Sequence, residues 1–130
     1  MSKKISLKKK RILVIDDEIE VTEIVDEFLT GAGYDVTVLN SSQFWQDTVN
    51  EIQPDLLMLD IMMPGEDGYA ICSQIKADPS TANIPVIFLS GRNKEEDQGR
   101  SFKSGGEMFI KKPFSGERLL GIVNVVISSQ

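Results

Sequence analysis

The chain has 130 residues, 41% of them hydrophobic and 26% charged, which is ordinary for a single globular domain that buries a core. No apolar run approaches the roughly 18 residues of a membrane-spanning helix, so we expect no membrane span. The chain contains no histidine, which excludes Ser-His-Asp and Cys-His catalytic sites and any histidine-ligated metal.

Charge is distributed unevenly along the chain. Residues 1–11 hold six of the 14 Lys and Arg residues and none of the 20 Asp and Glu residues. We predict a basic flexible tail over residues 1–10 and one domain over residues 11–130. The basic tail could contact an anionic partner, which is the alternative to a solvated tail. The excess of acidic residues in the rest of the chain argues against nucleic-acid binding by the domain. Cys72 is the single cysteine and is predicted to lie in the core. One cysteine cannot form an internal disulfide, so the reducing cytoplasm is the expected compartment.

Strands and helices alternate along the whole chain. The predicted strands are residues 11–15, 35–39, 56–59, 85–89 and 108–110. The predicted helices lie around residues 21–29, from a Ser41 or Ser42 cap through 52, over 68–77, over 93–104 and over 115–127. The helix over 93–104 is the weakest, because Phe102 is its one large apolar residue and Gly99 interrupts it. This alternation predicts a doubly wound parallel α/β sheet.

Carboxylates follow two of the apolar strands. Leu56 to Leu59 carry no polar residue and are followed by Asp60, and the strand ending at Ile15 is followed by Asp16 and Asp17. The carboxyl ends of strands are where open α/β sheets bind ligands. If the two strands are neighbours, three carboxylates converge, and we predict an acidic metal pocket. An N-cap for the following helix is the alternative role of Asp16 and Asp17.

Four motifs, each at the end of a predicted strand, together resemble the response regulator receiver domains of two-component signalling. They are Asp16-Asp17, the Asp60-x-x-Met-Pro-Gly-x-Asp-Gly loop, Ser90 after the fourth strand, and Lys112-Pro113-Phe114 after the fifth. The resemblance covers residues 11 to about 127. It implies a flavodoxin-like fold with five helices and strand order 2-1-3-4-5, the order of chemotaxis receivers.

The resemblance also implies roles for individual residues. Asp60 matches the phosphoacceptor, and Asp16 and Asp17 match the Mg²⁺-binding pair, to which Met62 would add a backbone carbonyl. Lys112 matches the lysine that contacts the phosphoryl oxygens. Ser90 matches the switch residue whose hydroxyl rotates toward the phosphate, and Phe109 matches the rotating aromatic of the switch. Ordinary packing is the alternative for Phe109, and a surface lysine is the alternative for Lys112. Glu66 and Asp67 are predicted to be turn residues and not ligands.

The implied function is a phosphorylation-operated signalling switch, and not an enzyme acting on external substrates. A histidine kinase or phosphotransfer protein would supply the phosphoryl group, because the chain has no histidine of its own. The output would be a downstream protein, or a second copy of the chain, bound at the face formed by the fourth helix, fifth strand and last helix. The core stripe of the last helix leaves out three apolar residues, Leu120, Val125 and Ile127, which predicts a contact surface there. The alternative is a broad core stripe that includes them.

Two other functions stay open. One is an adaptor whose output never depends on phosphate. The other is an aspartate-nucleophile phosphatase, which the sequence disfavours, because such enzymes carry a second Asp two residues after the nucleophile and position 62 here is Met.

Overall fold

The computed structural model describes residues 8–91, 106 and 108–130. Its five strands form one parallel sheet in the order β2-β1-β3-β4-β5, so the predicted sheet and its strand order are confirmed. The strands are β1 (Arg11–Ile15), β2 (Asp35–Leu39), β3 (Leu56–Asp60), β4 (Val86–Ser90) and β5 (Met108–Lys111).

Four helices lie within the described residues, against five predicted. They are α1 (Ile19–Gly31), α2 (Trp45–Ile52), α3 (Gly68–Ala77) and α4 (Gly116–Ser128). The predicted helix over 93–104 lies outside the described residues. None of the described helices is long and apolar enough to cross a membrane.

The central strands β1, β3 and β4 are buried on both faces, which explains their unbroken apolar runs. Alternate strand residues point to opposite sides, so the core is divided in two. One part packs under α2 and α3 and contains Leu13, Leu57, Leu59, Phe88, Trp45, Ile71 and Ile75. The other packs under α1 and α4 and contains Ile12, Val14, Met58, Ile87, Val25, Leu29, Leu119 and Val123. Cys72 is in the first part, as predicted.

The predicted cap of α2 is wrong. Neither Ser41 nor Ser42 caps this helix, which begins after Phe44 and has no side-chain cap. Phe44 has φ 63°, in the left-handed region, and is exposed. The Ser42 carbonyl accepts a hydrogen bond from the Trp45 N–H at 3.2 Å. A backbone carbonyl, and not the predicted serine hydroxyl, therefore pairs with this N–H at the start of the helix.

The apolar stripe of α1 differs from the predicted one, and that of α4 is broader than its predicted core stripe. In α1, Ile24 and Phe28 are partly exposed and Thr22 is buried in their place. The Phe28 ring lies against Gly116, where a Cβ atom would overlap it. In α4, Leu120 and Ile127 pack partly against the core, which leaves Val125, at 60% exposed, as the one clear outward residue of the predicted contact surface. The broad core stripe is therefore the better description of α4.

Candidate functional site

Three carboxylates meet at the carboxyl edge of the sheet. β1 and β3 are parallel neighbours with Ile15 opposite Leu59, so the next residues along each chain segment, Asp16 and Asp60, come together. One carboxylate oxygen from each of Asp16, Asp17 and Asp60 lies within 4.8 Å of the others. Asp16 and Asp60 are buried and Asp17 is exposed, so the group opens to solvent on one side. The structure thus brings the predicted acidic residues together.

Asp16 is fixed by its surroundings. Its backbone N–H donates to the Leu39 carbonyl at 3.0 Å, and its carbonyl accepts from the Asn40 side-chain amide at 3.0 Å. Its Oδ1 accepts from the Glu18 N–H at 2.9 Å. The N-cap of α1 is Glu18 and has no side-chain cap bond, so Asp16 and Asp17 do not play the alternative capping role.

Lys112 supplies the positive charge at this site. Its Nζ lies 2.8 Å from Asp16 Oδ2, 2.7 Å from Glu18 Oε1 and 3.5 Å from Asp60 Oδ1. Its side chain is 10% exposed, so this is not the freely solvated lysine of the alternative interpretation. The backbone N–H of Lys112 donates to the Ser90 carbonyl at 2.6 Å, which joins the start of the loop after β5 to the end of β4.

Burial and charge shift the acid–base behaviour of both partners. Burial, followed by the neighbouring Asp16 carboxylate, raises the pKa of Asp60 to about 7, while Lys112 acts in the opposite direction. Burial alone would lower the pKa of Lys112. The hydrogen bonds that Lys112 donates to Asp16 and Glu18, with the charges of Asp16 and Asp60, outweigh burial and raise the pKa of Lys112 above its ordinary value. Lys112 therefore stays charged, and the surroundings of Asp60 favour its protonated form.

The other predicted site residues surround this centre in different ways. The Met62 N–H donates to Asp60 Oδ1 at 3.4 Å, and the Met62 side chain is 57% exposed. Ser90 is 1% exposed at the end of β4, beside the end of β3. Phe109 is half-buried in β5, opposite Phe88, and packs against the core part under α2 and α3. Its packing fits either a switch residue or an ordinary core residue.

The loop between β3 and α3 is held by residues predicted to be turn residues. Asp67 is the N-cap of α3 and accepts from the Ala70 N–H at 2.8 Å. Glu66 accepts from Trp45 Nε1 at 2.8 Å and from the Gln74 amide. The Gly68 backbone lies so close to the Asp60 carbonyl oxygen that a Cβ atom would overlap it. These contacts place α3 directly against the end of β3 and fix the loop that contains Met62.

Two residues that the sequence did not single out belong to the site. Glu18 contacts Lys112 directly. Asn40 donates one amide group to the Asp16 carbonyl and to Thr22 Oγ1, both at 3.0 Å. Glu18 directly follows the acidic pair, which was a usable signal. Asn40 follows β2, and its role depends on β2 being the neighbour of β1.

The acidic group suits a divalent metal ion with oxygen ligands. Asp16 Oδ2 is buried, and the Lys112 ammonium lies 2.8 Å from it. Carboxylate oxygens grouped in this way, with one of the three carboxylates exposed to solvent, are ligands that Mg²⁺ takes, and waters and phosphate oxygens complete its shell.

The whole arrangement matches known proteins. Residues 12–124 match the family model of the response regulator receiver domain. The chain belongs to this family. The receiver domain is 37% identical over 117 residues to the DNA-binding dual master transcriptional regulator RpaA of Synechocystis, covering 90% of the chain and 48% of that protein. It is 34% identical over 118 residues to the Escherichia coli phosphate regulon transcriptional regulatory protein PhoB, covering 91% of the chain and 52% of that protein.

Solved structures give the same result. The signal receiver domain of a DNA binding response regulator from Colwellia psychrerythraea has a TM-score of 0.86 and 30% identity, covering 92% of the chain and 99% of that structure. The Vibrio cholerae chemotaxis protein CheY4 also has a TM-score of 0.86, at 22% identity and with 92% and 99% covered, and this likeness shows the fold alone. The receiver domain spans about half the length of the curated relatives it matches.

Proposed function

We propose that the receiver domain takes a phosphoryl group onto Asp60 from a phosphohistidine of a histidine kinase or phosphotransfer protein. The observation that carries this proposal is the position of the buried Asp60 carboxylate, beside the Asp16 and Asp17 carboxylates and 3.5 Å from the Lys112 ammonium. Asp16, Asp17, Asp60 and the Met62 carbonyl would hold Mg²⁺, and the bound ion would offset the negative charge that gathers during transfer.

The step is a displacement at phosphorus. An oxygen of the Asp60 carboxylate bonds to phosphorus while the phosphorus–nitrogen bond to the donor imidazole breaks, and the electron pair of that bond leaves with the imidazole. The product is an acyl phosphate. Lys112 would pair with the new phosphoryl oxygens, and the 3.5 Å between its ammonium and Asp60 Oδ1 supports this role. The Ser90 hydroxyl, at the end of the adjacent strand, would bind another phosphoryl oxygen.

This chemistry makes the receiver domain a switch and not an enzyme with external substrates. Its turnover is limited to its own phosphorylation and dephosphorylation. A phosphate-independent adaptor would have no use for a carboxylate whose pKa is raised by burial and by the neighbouring Asp16, a feature that costs stability. We expect the switch to operate in the cytoplasm, which the single cysteine favours.

The output would pass through the face that contains β5 and α4. Met108 of β5 is 38% exposed and Val125 of α4 is 60% exposed, so both elements present apolar atoms to solvent. The predicted helix over 93–104, which the resemblance assigns to this face, lies outside the described residues. The related proteins are named as DNA-binding or transcriptional regulators, and we propose that phosphorylation acts here on a downstream protein or on a second copy of the chain. The excess of acidic residues after residue 11 argues against nucleic-acid binding by this domain.

The proposal is tested by incubating the chain with acetyl phosphate and Mg²⁺ and measuring intact mass. We expect one phosphoryl group on the wild type and none on Asp60→Asn. Asp47→Asn removes an exposed carboxylate from α2 and serves as the matched control, which should react like the wild type. Asp17→Asn should need more Mg²⁺ to reach the same extent of reaction, because it loses one of the proposed ligands.

Equal incorporation in the wild type and Asp60→Asn would contradict the assignment of Asp60. A reaction that proceeds equally well in EDTA would contradict the role of Mg²⁺.

A further inference from the structure

We propose that Glu18 is a positioning residue that competes with Asp60 for Lys112. This competition lowers the affinity of the site for a phosphoryl group. This inference rests on the proposed function. It begins from the short distance between Lys112 Nζ and Glu18 Oε1, 2.7 Å, against 3.5 Å to Asp60 Oδ1. In the structure, the ammonium is therefore nearer to Glu18 than to the carboxylate that would carry the phosphoryl group.

The competition follows from the number of donors. A lysine ammonium has three N–H groups, and here Asp16, Glu18 and Asp60 all lie around it. A phosphoryl group on Asp60 adds up to about two negative charges and three acceptor oxygens. Lys112 must then serve those oxygens, and any contact that it keeps with Glu18 reduces what it can give them. Removing the charge of Glu18 should therefore favour the phosphorylated form.

Glu18, and not Asp16, is the partner that can be released. Asp16 is 0% exposed and its backbone and Oδ1 are held by hydrogen bonds, whereas Glu18 is 59% exposed. The Glu18 side chain makes no cap bond to α1. Glu18 and Lys112 both line an open groove of about 360 Å³ that is also lined by Val21, Ile24 and Phe114, so the Glu18 carboxylate can move into water without crossing packed side chains.

The expected effect is modest, because an ion pair with one exposed partner changes an equilibrium by a factor of about two to five. The measurement is the affinity of the wild type and Glu18→Gln for beryllium trifluoride, a phosphoryl mimic, at saturating Mg²⁺ by calorimetry. We expect Glu18→Gln to bind the mimic about two- to five-fold more tightly. Glu20→Gln removes the same charge from the first turn of α1 and serves as the control, which should bind like the wild type.

A double-mutant cycle separates positioning from a general loss of negative charge. If Glu18 acts through Lys112, Glu18→Gln changes the affinity in the wild-type chain but not in a Lys112→Met chain. A second measurement uses the metal-free chain without the mimic. There, Glu18→Gln should shift the NMR signal of the Lys112 side-chain ammonium, and Glu20→Gln should leave it in place.

Each outcome has a clear meaning. An unchanged or weaker affinity in Glu18→Gln overturns the inference, as does equal tightening in the Lys112→Met chain. If the wild type binds no beryllium trifluoride and Asp60→Asn takes up phosphoryl like the wild type, the proposed function fails together with this inference. If the wild type passes both of those tests and only Glu18→Gln fails, the proposed function stands and Glu18 has no part in it.

Discussion

Asp60 is a carboxylate in surroundings that oppose its charge. It is 4% exposed, two other carboxylates lie beside it, and Lys112 is shared with Asp16 and Glu18. A group of this kind stores unfavourable free energy in the metal-free chain and releases it when a cation arrives. The stability of the metal-free chain should therefore depend on the charge of Asp60.

We predict that Asp60→Asn stabilises the metal-free chain at neutral and higher pH. The pKa of Asp60 is about 7 in the folded chain and about 4 in the unfolded chain, so the folded chain holds this proton more tightly. The free energy of unfolding of the wild type therefore falls as the pH rises from about 4 to about 7. Asparagine removes this loss. We expect a gain of about 1–3 kcal/mol above pH 7 that disappears toward pH 4.

Urea unfolding in EDTA at several pH values measures this difference. Asp47→Asn, which changes an exposed carboxylate, should show no such dependence. If Asp60→Asn raises the free energy of unfolding equally at pH 4 and pH 8, burial and like charge do not shift the pKa of Asp60.

At the scale of single residues, the sequence predicts best the side chains that stand at strand ends. Asp16, Asp17 and Asp60 could be placed because each lies at the end of an apolar run, and such runs are easy to recognise. Glu18 and Asn40 could not, because their roles depend on which side chains meet in space. Nothing in the local sequence shows that Asn40 reaches across from β2 to the Asp16 carbonyl.

At the scale of elements, the junction of β3 and α3 is the most constrained. Gly68, the first residue of α3, lies against the Asp60 carbonyl, and its N–H donates to the Ile61 carbonyl at 3.1 Å. We predict that Gly68→Ala moves α3 away from the strand end, destabilises the chain by about 1–3 kcal/mol and weakens Mg²⁺ binding. The measurements are urea unfolding and the Mg²⁺ dependence of the melting temperature.

Gly121→Ala is the matched control for this change. Gly121 is also in a helix, but, apart from its own stretch of helix, no atom of the described residues lies within 4 Å of a Cβ placed there. Alanine at this position should be neutral or stabilise the chain by up to about 1 kcal/mol, since glycine is a poor helix former. If both variants behave alike, the close approach at Gly68 is not what sets the position of α3.

The elements themselves were predictable to within a residue or two where a pattern and a boundary residue agreed. β1 and β2 have the predicted bounds, and α3 runs over 68–77 as predicted, with Asp67 as its cap. The start of α2 was not predictable, because Phe44 adopts a left-handed conformation that no local signal favours in a bulky residue. The partial exposure of Ile24 and Phe28 was missed because α1 shares its side of the sheet with α4.

At the scale of the whole molecule, the alternation of strands and helices was enough to predict a doubly wound parallel sheet. The strand order was not derivable from that alternation, and it came from the likeness of four motifs to receiver domains. That order matters for function, because it places β1 and β3 side by side and so unites Asp16 with Asp60. The site is thus a property of the topology as much as of its residues.

The most direct test of the central claim is to trap the acyl phosphate chemically. The chain is phosphorylated with acetyl phosphate and Mg²⁺, reduced with borohydride, digested and mapped by mass spectrometry. Borohydride converts an aspartyl phosphate to homoserine, so the modified position is preserved in the peptide. We predict homoserine at position 60 and aspartate unchanged at positions 16 and 17. Homoserine at another position, or none in a chain that has gained a phosphoryl group, would contradict the assignment of Asp60 as the phosphoacceptor.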